Sequence, residues 1–231
     1  ALGANTTAND NTALGFNSLR LNTTGNKNVS LGSGAMDQNT TGSNNVAIGV
    51  AALDANTTAS NNTAVGQAAL TANTTGNSNN AFGKDAGISI TTGSNNNFFG
   101  VVAGENTSTG DLNCAFGQEA LQKNTTGSNN VAIGFRALEE STTASNNTAV
   151  GPNAGRSVTT GQTNVFLGVS AGNNQITTGQ DQCFIARSND AGGNATVWLY
   201  GGTSGQCIQG NNSSSWTTTS DQRLKKDIVT N

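Results

Sequence analysis

Short apolar pairs separated by longer polar stretches recur along the chain at a fixed spacing. A Gly that follows an apolar residue marks the repeat, and it returns every 17 residues, at Gly15, Gly32, Gly49, Gly66, Gly83, Gly100, Gly117, Gly134, Gly151 and Gly168. Numbered from this Gly, the unit reads G-x-x-A-L-x-x-N-T-T-G-S-N-N-x-A-V, and residues 1–14 fit the same frame from position 4 onward. Such a period indicates a repeat protein in which each unit forms one coil stacked on the next.

The unit of 17 residues is too short for two helices. Its apolar pairs, at positions 4–5 and 16–17, predict two short strands per coil joined by turns. Asn-Thr-Thr-Gly and Ser-Asn-Asn are turn sequences, because Gly accepts positive φ and Ser and Asn side chains bond their own backbone. We therefore predict an all-β fold, a parallel β-solenoid of about eleven coils that is roughly 50 Å long at ~4.8 Å per coil.

The recurring Asn residues of the turns have two interpretations. Stacked Asn side chains can hydrogen-bond along the coils, as ladders do in cross-β arrays. The same residues form Asn-x-Ser/Thr sequences, which are glycosylation sites in secreted proteins. We favour the turn and ladder role for the six that share one turn position, Asn5, Asn22, Asn39, Asn56, Asn73 and Asn124.

The apolar pairs also bear on assembly. Neighbouring residues of a strand point to opposite faces of the sheet, so Ala52 and Leu53, or Ala64 and Val65, are not expected to share one interior. Strands that are apolar on both sides are typical of sheets buried on both faces. A slender coil with a mostly Ala interior has nothing else to cover its outer face, so we predict a homotrimer around a common axis.

Charged residues keep to a fixed part of the unit. Up to residue 181 they occur only at positions 2, 3, 6, 7, 12 and 13, when one inserted residue after Gly168 is allowed for. Because an unpaired charge is costly to bury, the charge-free positions 4, 5, 8–11 and 14–17 predict the packed or ladder-forming arc. Glu139 and Glu140 fall on the solvated arc, where sequence neighbours do not form the carboxylate pair of a glycosidase.

Side-chain volume is exchanged between three positions of the unit. Leu or Met at position 5 accompanies Asn or Ser at position 8, whereas Gly87 at position 5 accompanies Ile90 at position 8 and Phe98 at position 16. Gly104 follows this exchange only in part, because its coil keeps Ala115 at position 16. Interiors packed near crystal density require such compensation, so positions 5, 8 and 16 are predicted to meet in one buried cluster.

Composition excludes several functions. The formal net charge of −3 gives no electrostatic footprint for nucleic acid, and no apolar run approaches the roughly 18 residues that a membrane span needs. The absence of His excludes a Ser-His-Asp triad. Cys114, Cys183 and Cys207 are widely spaced, so we interpret them as small apolar side chains and predict neither a disulfide framework, a metal site nor a cofactor.

With N-x-A-V/I-G as the signature of the coil, residues 1–186 resemble the head domains of trimeric autotransporter adhesins and the collar-like repeats of phage tail fibres. In both families each chain of a trimer winds a left-handed β-roll, and the resemblance implies the same roll here. The 17-residue unit with its Asn-Thr-Thr-Gly turn is longer than the autotransporter unit and is closer to the viral fibres.

The period stops after Ala186. Residues 187–219 contain ATVWLYGG, GQCIQG and SSSWTTTS, which predict short strands in an intertwined cap at the end of the trimer. The aromatic residues of this segment are predicted to plug the narrow end of the trimer or, alternatively, to form a sugar-binding platform; they are Trp198, Tyr200 and Trp216.

Residues 220–231 begin with SDQRLKKDI, which closely resembles the junction before the C-terminal intramolecular chaperone of phage tailspikes and endosialidases. That resemblance implies a chaperone that trimerises the fibre and is then released by autoproteolysis. The residues that match the family's Ser/Lys pair are Ser220 and Lys225, with Asp221 and Arg223 completing the motif. A Lys kept neutral by desolvation can serve as the base for a Ser nucleophile.

These features favour a structural and adhesive fibre that is not an enzyme beyond a single self-cleavage. The expected location is the virion, as a tail fibre, or a cell surface, and the expected partners are other copies of the chain and a host surface glycan or protein. The alternatives are an autotransporter-type adhesin or extracellular filament, and a glycan-degrading tailspike. A surface- or ice-binding solenoid is a further class, because Thr at positions 9 and 10 would stack into an array.

Overall fold

The computed structural model describes residues 1–173, 177–186, 197–201 and 207–208. These residues form one 13-stranded sheet whose strands follow chain order, with no helix among them. Strands β1 to β11 are mutually parallel, which confirms the predicted parallel β-solenoid. The strands are β1 Thr12–Leu14, β2 Val29–Leu31, β3 Val46–Ile48, β4 Thr63–Val65, β5 Asn80–Phe82, β6 Asn97–Phe99, β7 Cys114–Phe116, β8 Val131–Ile133, β9 Thr148–Val150, β10 Val165–Leu167, β11 Cys183–Ala186, β12 Val197–Gly201 and β13 Cys207–Ile208.

Each coil contains one strand, so the prediction of two strands per coil was wrong. The strand occupies positions 15–17, whereas positions 4 and 5 lie in a turn. Ala51 and Leu53 both adopt left-handed backbone conformations, with φ of 55° and 52°. This geometry turns Ala52 and Leu53 to the same side, and both side chains are fully buried. Only the apolar pair within the strand points to opposite faces of the sheet. In β4 the middle residue, Ala64, is buried, whereas the third residue, Val65, is partly exposed.

Backbone hydrogen bonds join neighbouring coils in the turns as well as in the strands. The amide of Leu53 donates to the carbonyl of Ala69 at 3.0 Å, and the amide of Ala55 donates to that of Thr71 at 3.0 Å. Turn residues therefore pair with their counterparts one coil away, as strand residues do. This pairing gives the main-chain groups of the turns the partners that they need when they are taken from water.

The left-handed residue of the Asn-rich turn is not the Gly that we expected. Gly42, at position 11, does not adopt positive φ, and Ala59 occupies the equivalent position in the next coil. Positive φ occurs instead at position 13, where Asn44 and Asn61 have φ of 59° and 63°. Asn tolerates this region better than other non-Gly residues, so the second Asn of Ser-Asn-Asn makes the turn.

Positions 5, 8 and 16 meet in one buried cluster, as predicted. A Cβ added to Gly87 would lie 2.9 Å from Cδ2 of Phe98 and 3.3 Å from Cδ1 of Ile90. A Cβ on Gly104, one coil further on, would lie 2.6 Å from Cζ of the same Phe98 ring. One Phe thus requires Gly in its own coil and in the next, which explains why Gly104 occurs without a Phe at position 16 of its own coil.

The sheet changes direction after the repeats. Strand β11 pairs with β12 in antiparallel orientation, and β12 pairs with β13 in the same way. Two of the three strands predicted after Ala186 are therefore present. The third, in SSSWTTTS, lies outside the described residues, as do residues 220–231 and most of 187–219, so the division of the C-terminal part stays a prediction.

We expect Gly66→Ala to destabilise the solenoid by about 2 kcal/mol or more, because a residue with a Cβ would be held in a sparsely populated backbone region. Gly66 has φ of 138°, and an added Cβ would lie 2.6 Å from the carbonyl carbon of Gly83. The matched control is Gly34→Ala, since Gly34 has φ of 69° with nothing within 4 Å of an added Cβ. Thermal unfolding followed by circular dichroism measures both, and equal losses would contradict the assignment.

A double-mutant cycle tests the buried cluster. Phe98→Ala alone should cost ~3–5 kcal/mol through the cavity that it leaves. Gly87→Leu alone should also destabilise, because the new side chain meets the Phe98 ring. Together they recreate the Leu and Ala combination found at Leu53 and Ala64. Chemical unfolding should therefore give a combined loss smaller than the sum by at least about 1 kcal/mol, whereas additive losses would show that the residues do not share one space.

Candidate functional site

The surface of the solenoid carries ion pairs between equivalent or nearby positions of adjacent coils. Arg20 donates two hydrogen bonds to Asp37, at 2.7 and 3.0 Å, and Lys123 lies 2.6 Å from Glu140. Exposed pairs of this kind contribute little each, about 0–1 kcal/mol. They pair the opposite charges at the charged positions of neighbouring coils.

Glu139 departs from the solvated arc on which it was predicted. Its residue is only 7% exposed, because Arg156 and Arg136 cover its carboxylate at 2.6 and 3.7 Å. Arg136 also donates to Glu119, and this hydrogen bond lowers the pKa of the Glu119 carboxyl. The prediction of a solvated Glu139 was therefore wrong, since Arg136 of its own coil and Arg156 of the next coil replace water around it.

Two buried turn positions, 8 and 14, carry ladders of stacked Asn side chains. Nδ2 of Asn56 donates to Oδ1 of Asn39 at 2.7 Å, and Nδ2 of Asn39 donates in the same way to Asn22 at 2.7 Å. At position 14, Oδ1 of Asn45 accepts a hydrogen bond from the backbone N–H of Asn62 at 2.9 Å. These side chains are fully buried, which confirms the turn and ladder role of the Asn-x-Thr sequences.

The Thr rows do not form the array that surface binding would need. Up to Thr159, the hydroxyl of each Thr at position 9 donates to the carbonyl of its counterpart in the next coil, as in Thr40 to Thr57 at 3.0 Å. Thr41, at position 10, is exposed although its position never carries a charge. The charge-free arc is thus not packed throughout, and only one of the two hydroxyl rows is free for water.

The outer face of the sheet is the most distinctive surface of the chain. We define it as the side chains of positions 15 and 17 on strands β1 to β11. Those at position 17 are all apolar, and they remain partly exposed, for example 38% at Ile48 and 40% at Ile133. No charged residue occurs in either row. A monomer rarely exposes a contiguous apolar strip of this length unless the strip binds something.

Three aromatic rings stack along the middle of the outer face. The ring centroids of Phe82 and Phe99 lie 4.7 Å apart, and those of Phe99 and Phe116 lie 4.4 Å apart. The planes are nearly parallel, with angles of 9° and 5°. Our sequence reasoning missed this stack, although Phe at position 17 of three successive coils was the signal that could have found it.

Beside the aromatic rings, position 15 carries polar but uncharged side chains. Nδ2 of Asn80 donates to Oδ1 of Asn97 at 2.9 Å. Cys114 follows one coil later, and burial raises the pKa of its thiol, which keeps it neutral. Cys114 and Cys183 are free thiols on the same half-buried row, as expected of small apolar side chains.

The candidate residues near the C-terminus are not brought into a site by the described part of the chain. Trp198 and Tyr200 lie on β12, and Trp216, Ser220 and Lys225 lie outside the described residues. Their predicted roles in plugging, sugar binding and self-cleavage stay predictions. Among the residues that are described, no three Cys, Asp or Glu side chains lie together as metal ligands would.

Comparison of the chain with protein-family models, with curated proteins and with solved structures found no match in any of the three. The described part of the chain also contains no helix with the length and apolar character needed to cross a bilayer.

We expect Asp54→Asn to raise the melting temperature at pH 7. Burial, and then the nearby Asp37 carboxylate, raise the pKa of Asp54. The folded state therefore holds the Asp54 proton more tightly than the unfolded state does, so ionisation of this group destabilises the fold. The advantage of Asn should shrink as the pH falls below the ordinary Asp pKa of about 3.9, where both states are protonated. Melting curves at pH 3 to 7 measure it, and a variant that is less stable at pH 7 would contradict the prediction.

Proposed function

We propose that the chain forms the shaft of a homotrimeric fibre, a phage tail fibre that attaches the virion to its host surface. The observation that carries the proposal is the outer face, an uncharged row of partly exposed apolar residues that runs through eleven coils. In the proposed assembly three left-handed β-rolls pack these faces around a common axis.

The length and period of the outer face favour another copy of the chain as its partner. A partner that covers the whole face must itself be uncharged and apolar over about 50 Å, with a spacing that matches ~4.8 Å per coil. The chain carries such a surface, and rotation about a common axis would place equivalent strands at the same height. Burial of each partly exposed Leu, Ile or Phe would then favour association, by up to about 1.5–3 kcal/mol for a fully exposed side chain.

The aromatic stack supports packing rather than sugar binding on this face. Sugar rings stack on the flat faces of aromatic side chains, but Phe99 lies between Phe82 and Phe116, with both of its faces covered. The rings therefore present their edges outward. Edges of this kind fit between the side chains of a neighbouring chain and offer no platform for a glycan.

The viral part of the proposal rests on the sequence. The N-x-A-V/I-G coils are similar to tail-fibre repeats, and residues 220–228 are similar to the junction of a self-cleaving chaperone. We therefore assign the release of a chaperone to Ser220 as nucleophile and Lys225 as base. Host attachment would then belong to parts of the trimer other than the packed outer faces.

Ile48→Asp is expected to abolish the trimer, because it would bury three unpaired carboxylates near the common axis. Thr41→Asp, in the same coil, is the matched control, since Thr41 is exposed and its hydroxyl makes no hydrogen bond within the described residues. Sedimentation equilibrium should give a trimer for the wild type and Thr41→Asp, and a monomer for Ile48→Asp. A monomeric wild type, or trimers of all three proteins, would refute the proposed packing of outer faces.

A further inference from the structure

The repeat creates an alignment problem for any assembly of parallel copies. The outer face presents nearly the same surface in every coil, so a chain displaced by whole coils would still set apolar residues against apolar residues. Strands β3 and β8 both read Val-Ala-Ile, and the strands that follow them, β4 and β9, both read Thr-Ala-Val. Hydrophobic burial alone therefore does not select one alignment, because it is not directional.

Three coils in the middle of the outer face break this uniformity. The register block is defined as five of their six outward side chains, Asn80, Phe82, Asn97, Phe99 and Phe116; the sixth, Cys114, has a counterpart at Cys183. Phe occurs at position 17 only in these coils, and Asn occurs at position 15 only in the first two of them. The block is thus the one stretch of the outer face, within strands β1 to β11, whose residue types are not repeated elsewhere on it.

The Asn pair leaves one amide group in need of a partner. Asn80 donates to Oδ1 of Asn97 at 2.9 Å, while Nδ2 of Asn97 donates no hydrogen bond within the described residues. In a single chain this half-buried group is open to water. Once another chain covers the face, an unpartnered donor becomes costly, so the covering chain must bring an acceptor to the same height.

Copies aligned in register meet this requirement, because each Asn97 then lies level with the Asn97 of its neighbours. A displacement of one coil sets the Asn97 of one chain level with the Cys114 of another, and a thiol is only a weak acceptor. The same displacement sets Phe116 level with Ile133, and Val65 level with Phe82. Such unequal volumes leave voids or clashes in a packed interface.

We propose that the register block sets the axial alignment of the chains, so that three copies assemble in a single register. This inference rests on the proposed homotrimer. The two Asn residues act as a polar position does in a coiled coil, where a polar group in an apolar seam specifies register at some cost in stability. The three Phe rings specify the same register because they are larger than the residues at position 17 of the other coils.

Disulfide trapping between chains tests the register. In the full 231-residue chain the native cysteines are replaced by Cys114→Val, Cys183→Ser and Cys207→Ser, because Val at 114 offers Asn97 no acceptor in a displaced alignment. One chain then carries Val131→Cys, and a second chain, distinguishable by a mass tag, carries Thr148→Cys. A disulfide needs Cβ atoms within about 4.5 Å. Chains in register can form only 131–131 and 148–148 bridges, because 131 and 148 are about 4.8 Å apart along the axis.

The native block should give almost only same-height bridges. Replacement of the block by the residues of its neighbours should keep the trimer but raise the fraction of 131–148 bridges several-fold; the replacements are Asn80→Val, Phe82→Ile, Asn97→Val, Phe99→Ile and Phe116→Ile. The matched control, Val46→Thr with Ile48→Val, changes the same two positions outside the block and should leave that fraction unchanged.

A displaced block gives a directional test that does not depend on the replaced block assembling. In one chain the block is moved one coil toward the N-terminus by Thr63→Asn, Val65→Phe, Asn97→Val and Phe116→Ile, with Val already at 114. Mixed with native-block chains, this chain should align one coil out of register. Bridges between position 131 of the displaced-block chain and position 148 of the native-block chain should then predominate. Bridges between position 148 of the displaced-block chain and position 131 of the native-block chain should stay rare.

The outcomes separate the two proposals. If native-block chains sediment as monomers, the homotrimer and the register block are both wrong. If they sediment as trimers but neither the replaced nor the displaced block changes the pattern of bridges, the homotrimer stands and the register block is wrong. A directional shift with the displaced block supports the inference even if the replaced block fails to assemble.

Discussion

Pairing of each coil with its neighbours is the constraint on which the rest of the structure depends. Main-chain groups bond from coil to coil in the strands and in the turns, as between Leu53 and Ala69. A coil one residue longer or shorter would break that pairing around much of the unit. After the single insertion that follows Gly168, the frame resumes before the next strand, and the amide of Thr159 again donates to Thr177 one coil away. The period of 17 residues thus follows from the hydrogen-bonding geometry rather than from the identity of the core residues.

The narrow interior explains the unusual composition. Coils stacked at ~4.8 Å leave space for Ala and one larger side chain, so much of the buried volume is filled by Asn whose amides bond along the stack. Where an apolar residue replaces Asn at position 8, the ladder is interrupted and a buried oxygen loses its hydrogen-bond partner. Oδ1 of Asn73 has no hydrogen-bond partner, because the next coil carries Ile90 at the ladder position. Buried apolar volume at Phe98 and a continuous Asn ladder are therefore alternatives, and this chain uses both.

The sequence was sufficient to predict the solenoid, its period and the buried cluster, because all three follow from which residue types recur or exchange at equal spacing. It was not sufficient for the number of strands. Ala52 and Leu53 have the composition of a strand, but left-handed φ at Leu53, a residue that rarely adopts it, turns both inward. The burial of Glu139 was missed for a similar reason, since it depends on Arg156, a residue one coil away whose side-chain direction no pattern specifies.

The inner and outer sides of the same strands follow different rules. Inward residues at position 16 alternate only between Ala, Ser and Phe, because each choice is tied to Gly or Leu in the same and adjacent coils. Outward residues have no such intrachain constraint, yet they remain uncharged in every coil and become aromatic in three consecutive ones. A chain that folded for itself alone would gain solubility from charges at these positions. Their consistent exclusion, on a side that the fold leaves partly exposed, is the feature of the chain that the proposed homotrimer accounts for.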